Sequence, residues 1–122
     1  MKLGVKMLIV EDERDTCKLI SDILEEEGFL LDRAHEGESA IKKIKRKKYD
    51  FMILDYKLPG ISGLEVLEEA NKIRPKLRVI MISAYGNEDI KAKAKELGAV
   101  NFLDKPYDVK KLVRVVKKNI KK

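Results

Sequence analysis

One cysteine, one histidine and no long apolar run leave several classes of protein out of consideration. Cys17 has no partner for an internal disulfide, so the chain is not a disulfide-stapled secreted scaffold, and a reducing cytoplasm is its expected home. Cys17 lies in a helical apolar pattern and reads as a small core residue. No stretch approaches the roughly 20 apolar residues of a membrane span. Met1 to Lys6 leads straight into a short strand pattern, without the features of a secretory leader. His35, the sole histidine, falls at the end of the second predicted strand and is expected at the surface.

What is present is a chain of 122 residues, 44% hydrophobic, the size of one domain over residues 1–122 with one real core. The formal charge is +6, unevenly spread. Residues 42–48 hold six bases and residues 109–122 hold seven, with no acid in either segment. Setting aside those 13 of the 27 bases leaves 14 bases against 21 acids, a net of −7. Both basic clusters fall in the last turns of predicted helices, where cations complement the helix dipole. Neither is interleaved with aromatics and no nucleic-acid-binding motif accompanies them, so direct nucleic-acid binding and membrane association are not expected.

Strand and helix patterns alternate five times. Strands are expected over 6–10, 29–34, 49–54, 77–83 and 99–103. The first helix, near 13–27, carries Thr16, Leu19, Ile20, Ile23 and Leu24 as its apolar stripe. Helices near 37–47 and 63–73 turn Ala40, Ile41, Ile44 and Leu64, Leu67, Ala70 inward. A thin-faced helix near 87–97 offers Ile90, Ala94 and Leu97. The last helix, near 108–121, has Asp108 at its N-cap position and Val109, Leu112, Val113, Val116 and Ile120 inward. This alternation predicts a doubly wound α/β fold with helices on both faces of a parallel sheet.

The chemistry sits where the strands stop. The first strand runs into Glu11 and Asp12, the third into Asp55, the fourth ends at Ser83, and the fifth precedes Lys105. Ligands of open parallel sheets bind beyond the carboxyl ends of the strands. Clustered carboxylates attract a hard divalent cation and a lysine attracts an anion. Taken singly, each residue has a plainer reading: a helix-start acid, a loop cap, a capping hydroxyl, a solvated loop lysine. Together at one end of one sheet they describe a phosphate site.

The segments Val10-Glu11-Asp12, Leu54 to Gly63, Ile82 to Gly86, Leu97-Gly98-Ala99 and Asp104 to Tyr107 resemble those of bacterial response-regulator receiver domains from end to end. The resemblance implies the flavodoxin-like strand order 2-1-3-4-5 with five helices. It implies Asp55 as phosphoacceptor, Mg²⁺ held by Asp12, Asp55 and the backbone carbonyl of Lys57, and Glu11 acting through water. Ser83 and Lys105 would contact the phosphoryl oxygens, with Ser83 and Phe102 as the switch pair. The donor would be a sensor histidine kinase or a histidine phosphotransfer protein, since His35 is not placed to serve. Docking is expected on Arg14, Asp15, Lys18 and Asp22 of the first helix and on Pro106 and Tyr107. The output would pass to a downstream protein or a linked effector domain, and the chain would be no enzyme beyond its own phosphorylation and slow dephosphorylation.

Two positions depart from the common family pattern. Glu11 stands where aspartate is usual, and Phe102 lacks the hydroxyl of the frequent tyrosine. The loop around Lys57 is close both to single-domain sporulation phosphorelay regulators and to receivers of nitrogen-regulation-type activators. A flavin site is disfavoured because Glu11-Asp12-Glu13 would repel a phosphate in the first loop. The Asp-x-Asp spacing of Toprim and dehalogenase-type sites is absent. The remaining alternative is a receiver fold acting as an interaction module without phosphorylation.

Overall fold

The computed structural model describes residues 4–84, 87–105 and 109–120, the side chains of Val109 and Ile120 apart. Strands β1 (Lys6–Val10), β2 (Leu30–Ala34), β3 (Phe51–Asp55), β4 (Arg78–Ser83) and β5 (Asn101–Asp104) alternate with helices α1 (Arg14–Glu26), α2 (Gly37–Arg46), α3 (Gly63–Ile73), α4 (Glu88–Glu96) and α5 (Val109–Ile120). All strand pairs are parallel, in the order β2-β1-β3-β4-β5. This is the expected flavodoxin-like, doubly wound sheet.

Side-chain alternation along the strands builds two cores. Leu8, Val10, Met52, Leu54, Val79 and Met81 face Ala40, Ile44, Val66, Leu67, Ala70 and Ala94 of α2, α3 and α4. Met7, Ile9, Phe51, Ile53, Ile80, Ile82 and Leu103 face Cys17, Ile20, Leu24, Leu112 and Val116 of α1 and α5. The inner strands are therefore apolar on both sides, whereas edge strand β2 is only part-buried.

The α1 stripe differs from the sequence expectation. Cys17, Ile20, Ser21 and Leu24 are the buried residues, while Leu19 is 55% exposed. Ser21 can be buried because its hydroxyl donates to the Cys17 carbonyl at 2.8 Å. Hydrophobicity alone favours the neighbouring stripe. Helices α2 and α3 bury Ala40, Ile44, Leu67 and Ala70 as expected, with Ile41 and Leu64 half-buried and Val66 added. Helix α5 buries Leu112 and Val116 with Val113 half-buried, and the side chains of Val109 and Ile120 lie outside the described ones. On α4 only Ala94 is fully buried, and Ile90 and Leu97 are half-buried. Asp108 lies outside the described residues.

The basic clusters lie at helix ends only in part, since Lys110 and Lys111 stand in the first turn of α5 and Arg114 in its middle. Lys43, Lys45 and Arg46 occupy the last turn of α2, and Lys117 and Lys118 that of α5. Lys47 reaches Asp32 at 2.9 Å, where the Tyr49 hydroxyl also donates at 2.7 Å. Arg74 donates to the carbonyls of Ile44 and Lys45 and closes the α2 terminus. Lys117 pairs with Glu27 at 2.5 Å. In a parallel sheet with helical crossovers these ends point to the pole opposite the strands' carboxyl ends.

Leu24→Ala is expected to cost about 2–5 kcal/mol, because it removes a fully buried side chain. Leu19→Ala is expected to cost less than about 0.5 kcal/mol. Urea denaturation of the two variants checks the orientation of α1, and equal losses would contradict it.

Candidate phosphate and cation site

Register decides which residues meet. Val10 lies opposite both Ala34 and Leu54, Asp55 opposite Ile82, and Ser83 opposite Asp104. Backbone bonds carry the ladder past the strand ends: Glu11 N–H to Ala34 O at 3.0 Å, Tyr56 N–H to Ile82 O at 2.8 Å and Lys105 N–H to Ser83 O at 2.7 Å. Glu11, Asp55, Ser83 and Lys105 therefore share one rim.

The Lys105 ammonium donates to Glu11 Oε1 at 2.7 Å and to Asp55 Oδ2 at 2.9 Å. Glu11 is 1% exposed and Asp55 5%. The solvated-loop reading of Lys105 is thus overturned: its ammonium bridges two buried carboxylates. The other Glu11 oxygen accepts from the Glu13 N–H at 3.2 Å, and Asp55 Oδ1 accepts from the Lys57 N–H at 3.1 Å. Burial pushes the Glu11 carboxyl up to about 7, Asp55 reinforces the rise, and the Lys105 hydrogen bond opposes it. Burial pulls the Lys105 ammonium down, but its hydrogen bonds to Glu11 and Asp55 and their charges outweigh that and leave it raised.

Carboxylate oxygens of Glu11, Asp12 and Asp55 lie within 4.8 Å of one another, and Asp12 is the exposed member. They open on a cleft lined also by Glu13, Lys57, Leu58, Pro59, Ala84 and Lys105. A compact all-oxygen donor set on an open cleft suits a small hard cation such as Mg²⁺, which keeps several waters.

Ser83 is fully buried as the last residue of β4. Phe102 is half-buried against the core on the α2–α4 side. The Lys91 ammonium sits 5.8 Å from its ring centroid and pairs with Asp104 at 2.9 Å. Arg14, Asp15 and Lys18 are exposed on α1, and Lys18 pairs with Asp22 at 2.8 Å. Pro106 and Tyr107 lie outside the described residues. His35 corrects the surface expectation: it is half-buried, and its Nδ1 lies 2.9 Å from the Glu11 carbonyl oxygen.

Two further features shape the Asp55 loop. Ser62 and Glu65 form a capping box at the start of α3, a pairing that the Ser-x-x-Glu spacing announces. Gly63 is buried so tightly that a Cβ would lie 2.4 Å from the Asp55 carbonyl oxygen and 2.7 Å from Tyr56 Cα. Its N–H donates to the Tyr56 carbonyl at 2.8 Å. No local sequence signal marks that approach.

A family model described as response regulator receiver domain matches residues 7–117. The chain is 34% identical over 116 residues to sporulation initiation phosphotransferase F of Bacillus subtilis (strain 168), over 95% of this chain and 94% of that protein. It is 33% identical over 114 residues to the nitrogen assimilation regulatory protein NtrX of Azorhizobium caulinodans, over 92% of this chain but 25% of that protein, and so spans about a quarter of its length. Among solved structures, the response regulator protein TrrA of Thermotoga maritima, in complex with Mg²⁺-BeF, superposes with a TM-score of 0.83 at 35% identity, over 93% of this chain and 96% of that one.

Gly63→Ala is expected to lower stability by about 1–3 kcal/mol, since the added methyl meets backbone that cannot yield cheaply. Thermal denaturation beside wild type measures this. An unchanged midpoint would mean that the Asp55 loop gives way freely.

Proposed function

Because the chain belongs to the response-regulator receiver domain family, we propose that Asp55 is its phosphoacceptor and that Glu11, Asp12, Asp55, Ser83 and Lys105 serve the transfer. The observation that carries this reading is the Lys105 ammonium set between Glu11 and Asp55 at the mouth of an acidic cleft. An Asp55 carboxylate oxygen attacks the phosphorus of a partner's phosphohistidine. The O–P bond forms as the P–N bond breaks, and the imidazole leaves and takes up a proton. The product is an acyl phosphate on Asp55.

Catalysis of this kind consists of positioning and charge neutralisation. Asp12, Asp55 and the Lys57 carbonyl would hold Mg²⁺, with Glu11 acting through water. The ion supplies charge neutralisation on the phosphoryl oxygens when bound. Lys105 meets a second phosphoryl oxygen and the Ser83 hydroxyl a third. Drawing Ser83 inward frees space for the Phe102 ring, which biases the surface of α4, β5 and α5. The chain is a phosphoacceptor switch, with no turnover beyond its own phosphorylation and slow dephosphorylation.

A sensor histidine kinase or histidine phosphotransfer protein is the proposed donor, docking on Arg14, Asp15, Lys18, Pro106 and Tyr107. A downstream protein or linked effector domain would read the altered surface. No helix among the described residues is long and apolar enough to cross a membrane, and the reading places the chain in the cytoplasm. The non-phosphorylated interaction module is the weaker reading, since the chain retains all five residues of the proposed site, Glu11, Asp12, Asp55, Ser83 and Lys105.

Incubation with acetyl phosphate and Mg²⁺ is expected to add one phosphoryl group by intact-mass measurement, and chelation of the metal to slow the gain. Asp55→Asn is expected to abolish it. Gain by that variant at the wild-type rate would move the phosphoacceptor elsewhere.

Arg14→Ala is expected to slow transfer from a phosphorylated histidine donor several-fold, with acetyl phosphate transfer unchanged. If charge reversal across 42–48 abolishes donor transfer instead, the partner docks on the basic pole.

A further inference from the structure

The sole histidine is part of the acidic pocket's support. Glu11 is gripped from the end of β2 at both its backbone groups. Its N–H donates to the Ala34 carbonyl at 3.0 Å, and its carbonyl oxygen lies 2.9 Å from His35 Nδ1. A carbonyl oxygen can only accept, so His35 Nδ1 carries the proton and Nε2 is bare in the neutral ring.

That carbonyl belongs to the planar peptide joining Glu11 to Asp12. Fixing it sets the direction in which the chain leaves β1 and enters Asp12. The Glu11 carboxylate has other restraints, Lys105 at 2.7 Å and the Glu13 N–H at 3.2 Å. Among the described residues, no side-chain hydrogen bond or ion pair holds Asp12, yet its carboxylate lies with those of Glu11 and Asp55. The backbone alone places it, and His35 pins the peptide that precedes it.

We propose that His35 is a positioning residue for the cation site: its Nδ1–H fixes the Glu11–Asp12 peptide and so aims the Asp12 carboxylate at a divalent ion. The inference rests on reading the acidic cluster as that site. His35 touches neither the ion nor the phosphoryl group. It acts as the outer partner of a ligand loop, and losing such a partner costs roughly 10–100-fold in metal affinity. Asparagine carries an N–H donor on the atom equivalent to Nδ1, whereas glutamine carries its donor one bond further out.

Calorimetric titration of Mg²⁺ into the full chain tests this, together with ¹⁵N correlation spectra of the ring. With one histidine in the sequence, the ring signals need no assignment. Wild type is expected to show the Nδ1-protonated tautomer in mildly alkaline buffer. His35→Ala is expected to bind Mg²⁺ about 10-fold more weakly, His35→Asn close to wild type, and His35→Gln as weakly as the alanine variant. If His35→Ala fails to fold, the Asn and Gln variants decide. An Nε2-protonated ring, or equal affinity in the Asn and Gln variants, overturns the inference. A wild-type chain that takes up no Mg²⁺ sinks the cation-site reading and this inference with it, whereas uptake indifferent to His35 sinks this inference alone.

Discussion

Three segments far apart in sequence meet on one ammonium group. Lys105 binds Glu11 across 94 residues and Asp55 across 50. Two nearly inaccessible carboxylates side by side would repel each other and lose hydration. Lys105 offsets both effects while remaining 22% exposed, so it can still meet an anion arriving from solvent. The direction of the Glu11 shift shows that the offset is incomplete, because burial still raises this carboxyl to about 7. Three carboxylates face one ammonium there, an arrangement that suits the proposed cation site.

The same lysine stands beside the element that would carry the signal. Its neighbour Asp104 pairs with Lys91 of α4, and Lys91 lies over the Phe102 ring. Its backbone N–H is bonded to Ser83. Any rearrangement of Lys105 at Asp55 therefore acts on a short stretch already tied to α4 and to Ser83. Helix α4 is the least anchored of the helices on its face, with Ala94 its one fully buried side chain, and an element with few buried contacts moves at low cost. In the proposed switch, Phe102, without a hydroxyl, would change environment by packing alone.

Charge is segregated along the same axis. The acidic cleft lies at the carboxyl ends of the strands, and Lys43, Lys45 and Arg46 of α2 with Lys117 and Lys118 of α5 lie at the helix termini of the other pole. There Lys47, Arg74 and Lys117 are engaged with Asp32, the α2 carbonyls and Glu27. These contacts fit the structural role that helix ends give to cations. The positive net charge of the chain therefore says little about the site, whose surroundings are acidic.

The sequence by itself determined the alternation of strands and helices, the sheet class and the set of residues at the strands' carboxyl ends. Those follow from periodicity and from where apolar runs stop, properties that a chain carries locally. Strand ends came out within about two residues, because the ladder continues past the apolar runs, as when Asp55 and Asp104 pair within β3 and β5. Tertiary structure alone decided which side of α1 is buried, since the sheet accepted Ser21 once its hydroxyl found the Cys17 carbonyl and left Leu19 outside. It alone set the ammonium of Lys105, already expected at the site, between the Glu11 and Asp55 carboxylates, turned His35 from a surface residue into a hydrogen-bond donor to the Glu11 carbonyl, and made Gly63 a point of backbone contact. Each of these depends on atoms brought within a few ångströms from separate segments, and one-dimensional spacing holds no record of that approach.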